Sequence, residues 1–492
     1  MLFRFLRRRP GYLVPLALSF LINPAFAEEP FWPDAELSAD VPTLTSVLGH
    51  DHGEKISAPE QLVRYLEALA DAAPERTRLV EYARTWEDRP LVYLVVGSRE
   101  NLARLDDIRS GMQQLADPRQ ITADEAARLI DDLPAVVWLS YGVHGNEISS
   151  GDASLVLAHH LLAATDETFR TITENTLAII DPAQNPDGRA RFVHHYQQHT
   201  GIEPAPSPIA AERREAWPGG RTNHYLFDMN RDWFALTQPE TRGRIKIMLE
   251  YFPLVHADVH EMGTDSTYYF PPPARPFNPH ITEQQKAGLD ALGKGMADVF
   301  DSFGFDYFTR EVFDALYPGY GDSWPTLHGS LGMTFEMASA RGLAGQRRDG
   351  SIVTYRDGVH RQFAATVGTL MVAARDRKAL LEAFYDYRRS AVDDDRVYGV
   401  PVNGNDASIV YQLADRLAFQ GVEVDVTRRS TRLCGEQMAA GSLVIRAGQP
   451  AGRLVRTLMD PESPMREDFL AEQERRRAKG LGVELYDVLG WS

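Results

Sequence analysis

The chain is poor in cysteine. One residue in 492, Cys434, carries a thiol, so no intramolecular disulfide can form and the fold has to rest on a packed core. A lone cysteine of this kind is expected as a small core residue, not as a nucleophile. Basic residues are also in deficit, with 52 Lys and Arg against 69 Asp and Glu and a net charge of −17. That balance excludes nucleic acid and anionic membrane surfaces as natural partners. Beyond the first residues no apolar run is long enough to span a bilayer. No fixed-period repeat and no low-complexity tract is visible, so repeat architectures drop out.

The N-terminus does carry basic charge. Arg4, Arg7, Arg8 and Arg9 precede a short apolar run over 12–22, and Ala25-Phe26-Ala27 has the small-x-small form of a cleavage site. The segment reads as a signal peptide over 1–27, which predicts a secreted or periplasmic protein cleaved near Ala27. Its removal takes away four arginines and no acid, leaving a net charge of −21. An exported chain without disulfides suits a bacterial periplasm.

Hydrophobic residues make up 43% of the chain, enough for a large core and two domains. Residues 28–58 read as an extended lead-in. Apolar spacing predicts helices over 58–73, 100–114, 123–130, 149–163, 239–251 and 282–300, and two over 355–388. Strands are predicted over 79–82, 91–97, 135–139, 177–181, 254–259 and 332–336. The alternation predicts an α/β fold with a mixed, mainly parallel sheet and helices on both faces. After an acidic break at 393–395, strands over 397–402, 422–426 and 443–445 and a helix over 407–419 predict a smaller α/β unit. The last residues, Leu489 to Ser492, are unusually apolar for a terminus, and this unit reads as incomplete. The implied domains are 28–390 and 396–492.

The chemistry concentrates in Ser140-Tyr141-Gly142-Val143-His144-Gly145-Asn146-Glu147. A buried strand ends in a glycine turn that presents an imidazole and a carboxylate, where α/β sheets place their ligands. His144, Glu147 and His260, at the end of a later strand, form a two-His, one-Glu set that suits zinc and leaves a position open for chemistry. His256 competes with His260 but sits deeper in the strand. Glu336 lies in the apolar run Gly332 to Ala338, where an unpaired carboxylate is costly. It is either a general base and acid beside the metal or a buried acid paired with an arginine such as Arg341. Asp228-Met229-Asn230-Arg231-Asp232-Trp233 offers a fork for a carboxylate in Asn230 and Arg231, with Asp228 able to orient an imidazole.

These residues carry a resemblance. His144-x-x-Glu147, Asn185-Pro186-Asp187-Gly188, the run from Asp228 to Trp233, His260 and Thr334-Phe335-Glu336 resemble, in order, the motifs of the funnelin zinc carboxypeptidases, the relatives of pancreatic carboxypeptidase A. The segment from Asp322 to Glu336 is also similar in spacing. The resemblance spans about residues 40–375. It implies an α/β/α hydrolase that removes C-terminal residues from peptides with a free carboxylate, using one zinc per chain. It implies that His144, Glu147 and His260 hold zinc, that Glu336 is general base and acid, that Asn230 and Arg231 bind the terminal carboxylate, and that Asp228 supports His144. For the oxyanion arginine the candidates are Arg189, Arg191, Arg213, Arg214 and Arg221, of which Arg221 is chosen. For the capping tyrosine they are Tyr317 and Tyr320, of which Tyr320 is chosen. Gly321 falls near the position that sets side-chain preference. The region after 395 resembles the glutamine-amidotransferase-like domain of longer bacterial exported members, without a recognisable nucleophile elbow.

Two other readings compete. One is a zinc amide hydrolase acting on cell-wall peptides or acylated amino acids. The other is a peptide-binding protein with a dead metal site.

Overall fold

Seven segments pair into one mixed sheet: β1 (Thr77–Arg84), β2 (Pro90–Val96), β3 (Ala135–Tyr141), β4 (Thr176–Asp181), β5 (Val255–Met262), β6 (Tyr268–Tyr269) and β7 (Leu331–Ala338). Their order is β1-β2-β4-β3-β5-β7-β6. β3, β4, β5 and β7 run parallel. β2 is antiparallel to both β1 and β4, and β6 is antiparallel to β7. The computed structural model describes residues 30–33, 35–403 and 406–483. The segment read as a signal peptide, 1–27, and the terminus 489–492 lie outside the described residues. Residues Asp34–Ser492 form one unit, and Met1–Pro33 another, of which 30–33 are a bend and a turn.

The central strands are buried along their whole length, as parallel strands covered on both faces must be. Side chains alternate across β3. Trp138 meets Tyr93, which meets Tyr251 of the helix Pro239–Tyr251. Tyr141, three positions on, faces Thr366 of the helix Tyr355–Arg375. Helices Leu105–Ala116, Ala123–Asp132, Pro239–Tyr251 and Arg377–Arg389 pack together as one layer. Pro59–Ala72, Ser149–Ala163, Glu283–Phe303 and Tyr355–Arg375 pack as the other. The fold is the expected α/β arrangement, and among the described residues no helix is long and apolar enough to cross a membrane.

Local departures have local causes. The helix expected over 100–114 breaks at Arg104, which leaves helical geometry at φ −114° and ψ 27°, into Arg99–Ala103 and Leu105–Ala116. Asn185-Pro186-Asp187-Gly188 does more than end a strand. It starts the helix Pro186–His199, with Asn185 Oδ1 accepting the Gly188 N–H at 2.9 Å and proline in the first turn. Cys434 is not a core residue. It is exposed at a left-handed turn position, φ +52°, between the short strands Thr431–Leu433 and Glu436–Met438.

The C-terminal residues build a three-stranded antiparallel sheet, β8 (Val397–Val400), β10 (Leu443–Arg446) and β9 (Val424–Val426) in spatial order. Its core, Leu417, Val422, Ile445, Leu454, Val455 and Leu458, includes Leu327 from the main sheet's surroundings. Trp324 Nε1 donates to Gln420 Oε1 at 2.7 Å, and Gln420 Nε2 donates to the Phe234 carbonyl. The C-terminal sheet is thereby tied to the segments before and after the candidate site.

Candidate active site

The parallel strands deliver their side chains to one sheet edge. After β3 the chain passes His144 and turns into the helix Ser149–Ala163. Gly145 makes that turn possible, because a Cβ there would sit 2.1 Å from the Arg189 backbone nitrogen. Glu147 then lies between two imidazoles. Its Oε1 is 2.8 Å from His144 Nδ1 and its Oε2 is 2.9 Å from His260 Nδ1. The far nitrogen of each ring faces a carboxylate, with His144 Nε2 3.0 Å from Asp228 Oδ1 and His260 Nε2 2.7 Å from Asp258 Oδ2. Asp258 and His260 are two apart on β5 and so share a face.

The electrostatics favour positive charge here. Burial pulls His144 and His260 down, but Glu147 with Asp228 and with Asp258 outweighs it, and both imidazoles are raised. Burial would lift Glu147, yet the two histidines hold it well below the ordinary carboxylate range. One ligand atom from each of His144, Glu147 and His260 lies within 4.8 Å of the others. In the tautomer with the proton on Nε2, the nitrogen that faces Asp228 or Asp258, each Nδ1 would turn a lone pair toward Glu147, the orientation a metal ligand needs. The donor set fits zinc.

These groups open on a cavity of about 330 Å³. Glu336 lines it from β7, in register with His260 on β5. Burial pushes the Glu336 carboxyl up to about 8 against the pull of His260. No cation pairs with it among the described residues, so the pairing with Arg341 does not occur. Arg221, Asn230, Arg231 and Tyr320 line the same cavity. Arg221 reaches Asp228 Oδ2 at 2.9 Å and Glu147 Oε1 at 3.4 Å. The Arg231 guanidinium lies over the Tyr320 ring, 4.4 Å from its centroid. Asn230 is more committed than expected, since its Oδ1 accepts from Trp233 Nε1 and from the Gly321 N–H, and its Nδ2 is 3.3 Å from His260 Nε2.

The structure places His144, Glu147, His260, Glu336, Arg221, Asn230, Arg231 and Tyr320 around one cavity and sets most of the other candidates apart from it. His256 is buried under the site with its Nε2 2.8 Å from Ser140 Oγ. Arg189 is tied to Asp152, Arg191 to the Gly219 and Asn223 carbonyls, and Arg213 to the Pro206 and Ala344 carbonyls. Tyr317 backs Tyr320, ring centroids 4.7 Å apart. Gly321 does not line the cavity. It packs against Asp258, whose Oδ2 would be 2.1 Å from a Cβ at that position. Sequence reasoning missed Asp258 as a partner of His260, although the Asp-x-His spacing on a strand signals it. It also missed the floor formed by Asp314, Asp322 and Thr334. Asp322 Oδ2 accepts from Thr334 Oγ1 at 2.9 Å and Oδ1 from Ser323 Oγ at 2.8 Å. Burial pushes this carboxyl up to about 6.

Residues 62–249 match the family model for zinc carboxypeptidase. That match includes His144, Glu147 and the segment 228–233 but ends before His260 and Glu336. The chain is similar to "Probable carboxypeptidase 2" of Trichophyton verrucosum (strain HKI 0517), 29% identical over 132 residues, 27% of this chain and 20% of the relative. It is similar to "Carboxypeptidase 2" of Trichophyton rubrum, 30% identical over 125 residues, 25% of this chain and 18% of the relative. The aligned region thus spans about a fifth of the length of these relatives. Among solved structures it is similar to the carboxypeptidase A from Helicoverpa armigera, with TM-score 0.45, 17% identity, and coverage of 69% of this chain and 76% of that one. For the metallo-carboxypeptidase from Burkholderia cenocepacia the values are 0.42, 18%, 65% and 68%.

Proposed function

We propose that this chain is an exported zinc metallocarboxypeptidase that removes the C-terminal residue of peptides. The observation that carries the reading is one cavity in which the His144, Glu147 and His260 set stands beside Glu336 and the free edge of Arg231. His144, Glu147 and His260 would hold zinc, which when bound would supply a Lewis acid for the scissile carbonyl. The Arg231 guanidinium, stacked on Tyr320, pairs with the substrate's terminal carboxylate and fixes which bond is cut. Glu336, in its ionised form, takes a proton from the attacking water as its oxygen bonds to the carbonyl carbon, then gives that proton to the amine as the C–N bond breaks. Arg221 stabilises the negative charge that develops on the carbonyl oxygen. Asp228 and Asp258 hold the ligand rings in place. The acids on the cavity floor, Asp322 and Asp314, favour a departing residue with a cationic side chain.

The test compares kcat/KM for one peptide as free acid and as C-terminal amide, on the wild type and on Arg231→Ala. The amide and the variant should each lose about ten- to a hundredfold, since a charge-assisted contact is worth ~1.5–3 kcal/mol. The two losses should not add, because they remove the same contact. Equal rates for acid and amide on the wild type would instead favour an amidase or an endopeptidase.

A further inference from the structure

Beside the cavity, large apolar side chains stand in water. Trp86, in the turn between β1 and β2, is 49% exposed, while Tyr225 and Phe227, in the loop that carries Arg221 and leads to Asp228, are 57% and 46% exposed. Leu226 between them is also exposed. Single exposed apolar residues are ordinary, but a group of them marks a contact surface. These do form a group, for the Trp86 and Tyr225 rings meet edge to face with centroids 5.0 Å apart.

The surface is held rigidly from beneath. Asn223 is fully buried, accepts the Phe227 N–H on Oδ1 and donates from Nδ2 to Gln238 Oε1. The same Gln238 oxygen accepts the Trp86 indole N–H at 3.0 Å. One amide thus fixes both segments, and the polar edge of Trp86 is satisfied, leaving its apolar face to solvent. Arg191 clamps the loop from behind through the Gly219 and Asn223 carbonyls. Leu226 adopts φ +66°, a strained conformation for a side chain with no oxygen to stabilise it. It keeps the turn closed, with its N–H on the Asn223 carbonyl.

Topology places this surface in line with the site. β1 is antiparallel to β2 and β2 to β4, so the turn holding Trp86 opens at the same sheet edge as His144 and His260. From β3 to β2 is two strand intervals, about 10 Å at ~4.8 Å each. The carboxylate anchor, Arg231 with Tyr320, and Glu336 on β7 lie to the other side of His144. A peptide anchored there has its upstream part free to run along the edge toward Trp86. At ~3.3 Å per extended residue it arrives about three residues before the cleaved bond.

We propose that Trp86, Tyr225 and Phe227 form an upstream subsite that binds an apolar or aromatic side chain about three residues before the scissile bond, which makes extended apolar peptides the preferred substrates. The inference rests on the carboxypeptidase reading for the direction of the chain. The test uses N-blocked peptides of two to six residues that share their last two, with Phe, Leu or Ser at the upstream position. The kcat/KM should rise about five- to thirtyfold, as one to two kcal/mol of aromatic contact gives, once the peptide reaches the surface and carries Phe or Leu there. In Trp86→Ala and in Phe227→Ser the ratio of long to short substrate should collapse toward one. Phe227 is an exposed loop residue, so its variant keeps the test valid if the tryptophan variant fails to fold. Cleavage of short and long peptides with equal kcat/KM, or an unchanged ratio in both variants, would overturn the subsite while leaving the carboxypeptidase reading intact. Failure to cleave any free-acid peptide would overturn that reading itself. A dimer in sedimentation that Trp86→Ala dissociates would assign the surface to a second copy of the chain instead.

Discussion

The Asp258 carboxylate lies 2.7 Å from Nε2 of His260, on the side of the ring turned away from Glu147. His144 has the same arrangement with Asp228. Partners of this kind fix ring orientation and raise ligand basicity, and their loss typically costs 10–100-fold in metal affinity. Asp258→Ala and Asp228→Ala should each weaken zinc binding by about that factor, measured by competition with a chromophoric chelator. Circular dichroism should show the fold retained. Unchanged affinity in Asp258→Ala would reduce that carboxylate to a packing role beside Gly321.

Glu336→Gln should keep zinc stoichiometry and melting temperature and lose turnover by about 10²- to 10⁴-fold, the contribution of a positioned proton carrier. The amide has nearly the carboxyl's shape but carries no proton between water and amine. Among the described residues Glu336 makes no ion pair, so its replacement leaves no buried partner stranded there. A variant with near-normal kcat would remove this residue from the chemistry.

How much of this was legible in the sequence depends on the kind of signal. Strands such as 135–139 and the helix over 149–163 were readable because burial on every side leaves unbroken apolar runs. The His144, Glu147 and His260 group could be singled out because His144 and Glu147 sit in one turn and His260 follows a buried apolar run. Arg221 could be separated from Arg189, Arg191 and Arg213 only by space, since each of these makes bonds to distant carbonyls or acids that the sequence does not encode locally. The helix Pro186–His199 was hidden because Asn-Pro-Asp-Gly is turn chemistry and N-cap chemistry alike. Cys434 misled because its propensity for burial yields to a tight turn. Asp322 was invisible as a floor residue because its neighbours Thr334 and Asp314 come from other segments.

Asp322 leads to a specificity prediction. It is nearly buried, bonded to two hydroxyls and faced by no cation among the described residues, and Asp314 shares the cavity with it. A substrate ammonium or guanidinium would supply the missing charge at the end of a long stem. Peptides ending in Lys or Arg should exceed the same peptides ending in norleucine by about ten- to a hundredfold in kcat/KM. Asp322→Asn should erase most of that margin. Preference for norleucine or Leu on the wild type would show that the floor selects apolar side chains.

Asp181, the last residue of β4, gives a pH test independent of catalysis. It is fully buried, receives the Tyr82 hydroxyl and the Gln184 amide, and burial pushes its carboxyl up to about 7. In the unfolded chain an aspartate titrates near ~3.9. Between these values the folded state binds the extra proton, so this group's support for folding is complete below about pH 4 and is lost as pH rises through 7. Asp181→Asn removes that loss while keeping an oxygen for the two donors. Chemical denaturation at pH 5 and pH 8 should therefore show the variant gaining on the wild type as pH rises, by up to a few kcal/mol, whatever its constant offset. An equal difference between variant and wild type at both pH values would mean that Asp181 is already ionised in the folded protein at pH 5.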